Sequence, residues 1–238
     1  MKRRVGISSV GVYVPSYRIK RETISKAWGR GGGKGEKAIA YYDEDCITLA
    51  IEAAFSCIAG IDPEKLDGLF FASASGPYAE KEHANLIKSV IDLRATALTA
   101  DFSHSLRAGT QAMRAAFDSV GNGTARNILV ACADHRLAEP GSDTELQFGD
   151  GAASVIIGSE DILAELEGAY SISEEFTDQW KTNGNAYVRS GDPPFALQYG
   201  YVNTVGSCIS KLMKQSNIEP EAIKKVALYT PDSRAYRK

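Results

Sequence analysis

An α/β fold assembled as a duplication, with a complete first half and an incomplete second half, is the architecture that this sequence predicts. Three observations carry it. Strand-like apolar runs alternate with helical periodicities through the first 160 residues, the pattern of a sheet covered by helices. The stretch Thr96–Ala116 turns abruptly from a β-prone segment, 96–102, into a helix marked by Leu106, Ala108, Ala112, Met113 and Ala116. Finally, Ile61-Asp-Pro-Glu-Lys-Leu-Asp-Gly-Leu-Phe-Phe-Ala-Ser73 matches Ile218-Glu-Pro-Glu-Ala-Ile-Lys-Lys-Val-Ala-Leu-Tyr-Thr230 at an offset of 157 positions. The expected division is therefore 1–160 for the first half and 161–238 for a connector and the start of the second.

Taken in order, Val5, Ile7, Val10, Val12 and Val14 are spaced as a strand, with Ser8, Ser9 and Pro15 interrupting any continuous signal helix. Arg21–Trp28 is helical in pattern. Gly29–Gly35 is a glycine run carrying Arg30 and Lys34, without the register of a phosphate-binding P-loop. Asp43, Glu44 and Asp45 precede the helix Cys46–Ala59, where acids suit the helix dipole. Leu69–Ala72 is an apolar strand broken by Ser73-Ala-Ser-Gly-Pro77, and Pro77–Ile91 continues as loop and helix, with Glu80, Lys81, Glu82 and His83 as a solvated face. Asn127–Ala133 is a buried strand followed by Asp134-His135-Arg136, read as a turn. Phe148–Ala153 is a tight glycine turn into the strand Ala153–Gly158, with Asp150 bonding local backbone. The connector 170–198 is rich in aromatic residues, and Tyr199–Gln215 is helical.

The strand-to-helix turn at 96–116 is the chemically informative stretch. Ser103 and Ser105 are placed to cap the helix. Such an elbow aims backbone N–H groups and the positive end of the helix dipole at the residue before the helix, where a thiolate or a developing oxyanion is stabilised.

Ala100-Asp101 and Leu106-Arg107-Ala108-Gly109-Thr110 resemble the nucleophile elbow of the thiolase superfamily, most closely the 3-hydroxy-3-methylglutaryl-CoA synthase and ketoacyl synthase III branches. Val10-Gly-Val-Tyr-Val-Pro15, Asp43-Glu-Asp45, Pro77-Tyr78-Ala79 and, most specifically, Phe148-Gly-Asp-Gly-Ala-Ala153 support it. The resemblance implies a five-layer αβαβα duplication and acyl-CoA as substrate or ligand, with no covalently bound cofactor. It also implies a cysteine three residues before the Gly-Thr pair, a general-base glutamate three before Pro77, and a histidine two before Pro231. Those positions hold Leu106, Ala74 and Tyr229. By the same resemblance Trp28 stacks on the adenine of coenzyme A with Arg30 and Lys34 near its phosphates, and Asp178-Gln-Trp180 borders the acyl pocket.

Condensation on this fold needs a thiolate, a base and oxyanion donors. Leucine forms no acyl-enzyme, and Ser105 serves as nucleophile only with a base such as His104 directed at it. Two expectations follow. In one, the chain is a non-condensing subunit completing a thiolase-like partner, within a homo- or hetero-oligomer. In the other, it is an acyl-CoA lyase or acyltransferase in which Tyr229 acts as acid/base in a retro-aldol or retro-Claisen step without a covalent intermediate. Some thiolase-like lyases that work with a small zinc-ribbon and OB-fold partner resemble the second arrangement. At the repeat offset Lys238 matches Lys81, so the second copy lacks a counterpart of the elbow helix, and an obligate partner or self-association is expected.

Composition excludes other classes. Charged residues at 24%, hydrophobic residues at 44% and a net charge of −3 are those of a soluble globular protein and give no reason to invoke nucleic acid. No stretch approaches a membrane span. Cys46, Cys57, Cys132 and Cys208 show no metal or disulfide spacing and are read as reduced core thiols of a cytoplasmic protein. His83, His104 and His135 form no metal set.

Overall fold

The continuous apolar runs become central strands. A computed structural model describes residues 3–31 and 33–230; Met1, Lys2, Gly32 and residues 231–238, with the proline after Thr230, lie outside the described residues. The strands are β1 (Gly6–Tyr13), β2 (Tyr17–Lys20), β3 (Glu36–Ile39), β4 (Gly68–Ala72), β5 (Leu98–Phe102), β6 (Ile128–Asp134), β7 (Gly151–Gly158), β8 (Ala164–Glu165), β9 (Gln179–Trp180) and β10 (Arg189–Ser190). The α-helices are α1 (Arg21–Ala27), α2 (Cys46–Ile58), α3 (His83–Val90), α4 (Ala108–Gly121), α5 (Asp143–Gln147), the single turn α6 (Pro193–Phe195) and α7 (Asn203–Ser216). The chain divides into two compact units, Met1–Leu166 and Glu167–Lys238. The first runs to Leu166 because β8 returns to pair with β1.

In the first unit a six-stranded sheet is ordered β5-β4-β6-β7-β1-β8. β4 is parallel to both β5 and β6, and β7 reverses direction against β6 and β1. Every residue of β4 is buried, which is why Gly68–Ala72 is apolar without alternation. One face of the sheet packs under α2 and α3 through Leu49, Ala50, Ala54, Ile87, Leu69, Phe71, Leu129 and Ile156. The other packs under α4 through Ala108, Ala112, Ala116, Val120, Phe70, Val130 and Ile157.

α2 begins where Asp45 accepts from the Ile47 and Thr48 amides at 2.8 and 3.0 Å while the Thr48 hydroxyl receives the Asp45 amide at 2.8 Å, a closed capping box. It lies so close to β1 that a Cβ on Gly11 would sit 2.3 Å from the Ala53 carbonyl oxygen and the Cys57 nitrogen. α4 buries alanines at every fourth position, a narrow stripe that lets its backbone approach β4 and β6. Beyond the edge of α4, the valines of β1 stand outward: Val10 and Val12 are 58% and 67% exposed.

The second unit holds the β9–β10 pair, an aromatic stack of Phe176, Phe195 and Tyr199 with ring centroids 5.5 and 4.9 Å apart, a π-helical segment Ala196–Val202, and α7. The repeat has a structural signature. Gly60 and Asn217 are both left-handed, at φ 76° and 52°, and each leads through isoleucine into a 3-10 turn, Pro63–Lys65 in the first copy and Pro220–Ala222 in the second. The strand expected after the second turn does not form among the described residues. Residues 223–230 lie in no strand among the described residues, and Val226, Leu228 and Tyr229 are exposed.

Candidate functional site

The three parallel strands point their C-terminal ends at one rim of the sheet, where β7 begins in the opposite sense. The loops leaving β4, β5 and β6 therefore meet there. They border an open cleft of about 360 Å³ lined by Ser73, Ala74, Ser105, Leu106, Cys132 and Asp134, with Ala108 and Gly109 of α4 and Gly151–Ala153 of β7.

The elbow itself is built differently from the expected cap. His104 is left-handed at φ 65°, which reverses the chain after β5. The helix starts only at Ala108, so Leu106 stands in the turn, 45% exposed. Ser105 organises that turn: its hydroxyl accepts from the Arg107 amide at 3.2 Å and its carbonyl from the Ala108 amide at 3.0 Å. Ser103 does not cap the helix; its hydroxyl lies 2.6 Å from Nδ1 of His104, so the imidazole is engaged by Ser103.

Across the cavity, Asp134 holds the loop after β4. Its Oδ1 accepts from the Ser73 and Ser75 hydroxyls at 3.1 and 2.8 Å and from the Ala74 amide at 2.8 Å, while the His135 amide donates to the Ser75 hydroxyl at 2.8 Å. Ala74 thus has a fixed backbone and no side-chain chemistry. Asp134-His135 is not a simple turn. His135 Nδ1 lies 3.2 Å from Asp150 Oδ1, and the carboxylate of Asp150 raises the histidine's pKa above its ordinary value. Nor does Asp150 serve only its own turn. Its Oδ2 accepts from the Ala40 amide at 2.7 Å and its amide donates to the Ala38 carbonyl, because the segment before β7 runs alongside β3.

His83, expected on a solvated face, is buried. Asp101 accepts from the His83 and Ala84 amides and lies 2.7 Å from His83 Nδ1, and the ring packs on Phe71 and Tyr78. Nε2 receives the Tyr78 amide at 3.3 Å.

Cys132, read as a core thiol, packs partly buried against the α4 cluster and also borders the cleft, on the same face of β6 as Asp134, while Cys46 and Cys57 are fully buried. Burial, and then the Asp134 charge, push the pKa of Cys132 to about 11.

The residues expected at coenzyme A sit on the same unit. Trp28 is half-exposed, with Nε1 donating to Glu145 at 3.0 Å and the ring against Gly141. Arg30 pairs with Asp143 at 3.3 Å. Lys34 borders an open cleft of about 580 Å³ together with Lys20, Glu22 and Glu36. Tyr229 belongs to the second unit, 65% exposed, its carbonyl accepting from the Tyr201 hydroxyl. Among the described residues no group of three or more His, Cys, Asp or Glu is placed to hold a metal ion, and no helix is long and apolar enough to cross a membrane.

No protein-family model matches the chain. Among curated proteins, the hydroxymethylglutaryl-CoA synthase of Pyrococcus furiosus is 34% identical over 233 residues, covering 96% of this chain and 66% of the relative. That of Methanopyrus kandleri is 32% identical over 244 residues, covering 99% and 69%. The chain spans about two thirds of the length of the curated relatives it matches. Among solved structures, HMG-CoA synthase complexed with CoA superposes with a TM-score of 0.84 at 18% identity, over 92% of this chain and 58% of the other. The 3-oxoacyl-(acyl carrier protein) synthase III of Pseudomonas aeruginosa gives 0.76 at 20%, over 91% and 72%. At these identities the solved structures show the fold.

Proposed function

The chain belongs to the hydroxymethylglutaryl-CoA synthase family of the thiolase superfamily, and from that premise we propose that it binds acyl-CoA as a non-condensing subunit of a complex that makes or breaks carbon–carbon bonds. The observation that carries this reading is that Leu106 and Ala74 line one cavity. The resemblance assigns these positions to the acyl-carrying thiol and the general base, and neither side chain transfers a proton or forms a thioester. The walls that remain are the start of α4 and the Asp134-held loop.

Trp28 supports the acyl-CoA part of the proposal, since its exposed ring is fixed from behind by Gly141 and Glu145 and offers a flat face to a base. The cleft at Lys34 carries two lysines and two glutamates, so its charge alone does not select phosphates. The partner in this reading is a thiolase-like chain of different sequence that retains the catalytic set, in a hetero-oligomer, with a small zinc-ribbon and OB-fold protein as a further candidate. The outward valines of β1 are apolar surface of the kind such contacts cover.

Calorimetry with acetyl-CoA and 3-hydroxy-3-methylglutaryl-CoA, run beside a coupled assay for free CoA, tests the proposal. Binding with release of no more than one equivalent of CoA per chain is expected. Multiple turnover by the purified chain would overturn it, and loss of that turnover in Tyr229→Phe would establish the lyase or acyltransferase instead. Absence of binding would overturn the acyl-CoA assignment.

A further inference from the structure

We propose that His135 and Asp150 form a pH-sensitive joint, which holds β2, α1 and β3 against the rim of the six-stranded sheet while the imidazole is protonated and loosens them when it is neutral. β2 and β3 make a two-stranded sheet of their own, and α1 lies in the connection between them. This group is fastened to the segment that leads into β7. Arg21 Nε donates to the Leu146 carbonyl at 2.8 Å, Lys37 Nζ to the Glu145 carbonyl at 2.6 Å, and Trp28 Nε1 to the Glu145 carboxylate at 3.0 Å. Asp150 completes the attachment: Oδ2 accepts from the Ala40 amide at 2.7 Å just beyond β3, and the Asp150 amide donates to the Ala38 carbonyl at 3.2 Å. Its other oxygen, Oδ1, faces His135 just past the end of β6. His135 is tied in turn to the loop after β4, because its amide donates to the Ser75 hydroxyl. One carboxylate therefore connects the small sheet to the rim.

The contact depends on charge. Nδ1 of His135 is shielded from solvent and lies 3.2 Å from Oδ1, yet it is not aligned for a hydrogen bond with any acceptor among the described residues. Attraction between an imidazolium and a carboxylate is what joins the two groups, and the Asp150 side chain, 10% exposed, is too buried for water to screen it fully. A neutral ring gives up that attraction, and one of its tautomers turns a nitrogen lone pair towards the carboxylate. Oδ1 is then unheld, and Oδ2 loses its fixed aim at the Ala40 amide. The charged groups that act on the ring are Asp150, ahead of β7, and Asp45, at the head of α2; both favour the imidazolium, against the opposing effect of burial. From β3, Lys37 attracts the same Asp150 carboxylate, so the loosening is partial. The hold is complete below the ordinary histidine value and is lost as pH rises through the raised one.

Hydrogen exchange of the full chain tests the joint without any ligand, so its outcome is independent of the acyl-CoA reading. The Ala40 amide is followed by NMR between pH 5.5 and 8.5, and its rate is divided by the intrinsic rate at each pH. Protection should fall by at least about twofold across this range, the scale of one partly exposed ion pair. The fall should vanish in His135→Gln and in Asp150→Asn. A fall below twofold in the parent, or one that survives in His135→Gln, overturns the proposal. A fall that survives in Asp150→Asn assigns the effect to Asp45 and overturns it as well. Should a variant fail to fold, the imidazole titration of His135 in the parent decides: its midpoint should coincide with that of the Ala40 step, and a separation of more than about half a pH unit refutes the joint.

Discussion

Removing the Asp134 carboxylate should loosen the cavity by a calculable amount. Three donors converge on its Oδ1, the hydroxyls of Ser73 and Ser75 and the amide of Ala74. Hydrogen bonds to a charged acceptor contribute about 1.5–3 kcal/mol each, so the simple sum is about 5–9 kcal/mol. The structure argues for much less. After Asp134→Ala the Ser73 hydroxyl still accepts from the Ser75 amide at 3.0 Å, and the Ser75 hydroxyl still accepts from the His135 amide. Ala74 is exposed, so water replaces its lost partner. The net cost is then about 2–3 kcal/mol, since contacts in one network are not additive. For a chain of this size that lowers the melting temperature by roughly 4–12 °C. Asp134→Asn keeps an acceptor without its charge and should cost about half as much. Guanidinium titration at constant m-value measures both, and amide exchange at Ala74 should accelerate in step. A loss below about 1 kcal/mol in the alanine variant, or equal losses in both, would show that the carboxylate does not hold this loop.

Other perturbations read other parts of the structure. His135, raised by Asp150, contributes stability fully below the ordinary histidine value of about 6.5 and loses it as pH rises through its raised value. His135→Gln should therefore be less stable than the parent at pH 5.5 by about 1 kcal/mol or less, given the partial exposure of the ring, and converge with it at pH 9 in urea titrations. Gly11→Ala places a methyl group 2.3 Å from the backbone of α2 and should destabilise the chain by more than about 3 kcal/mol, or prevent folding, as read by circular dichroism. Trp28→Ala should weaken acyl-CoA binding about tenfold in calorimetry, the value of one lost stacking face, with no change for a pantetheine thioester that lacks the adenine.

Much of this was legible in the residues. The apolar runs of β4 and β6, the Asp45 cap, and the elbow between β5 and α4 each follow from local chemistry and fell close to their expected bounds. The repeat also fixed a left-handed residue and a 3-10 turn in both copies. What could not be read was pairing across distance. Asp150 looked local because aspartate in a glycine turn usually is, yet its partners, Ala40 and His135, come from β3 and β6 loops. His83 sits in a charged run and is buried all the same, because Asp101 lies 18 residues on and across a parallel strand pair. Cys132 read as core because β6 is apolar, and it does pack against the α4 cluster beside Gly109; that it also lines the rim depends on where α4 starts. The strand expected after the second 3-10 turn has the sequence of an inner strand, and none is formed there among the described residues.

The rim where β4, β5 and β6 end has a consequence for how such a protein changes over generations. Framework and reactivity are written in different residues: the strands carry the packing, while positions 74 and 106 lie on loops that touch little of it. A lineage can therefore exchange the residues at these two positions without eroding the scaffold beneath them.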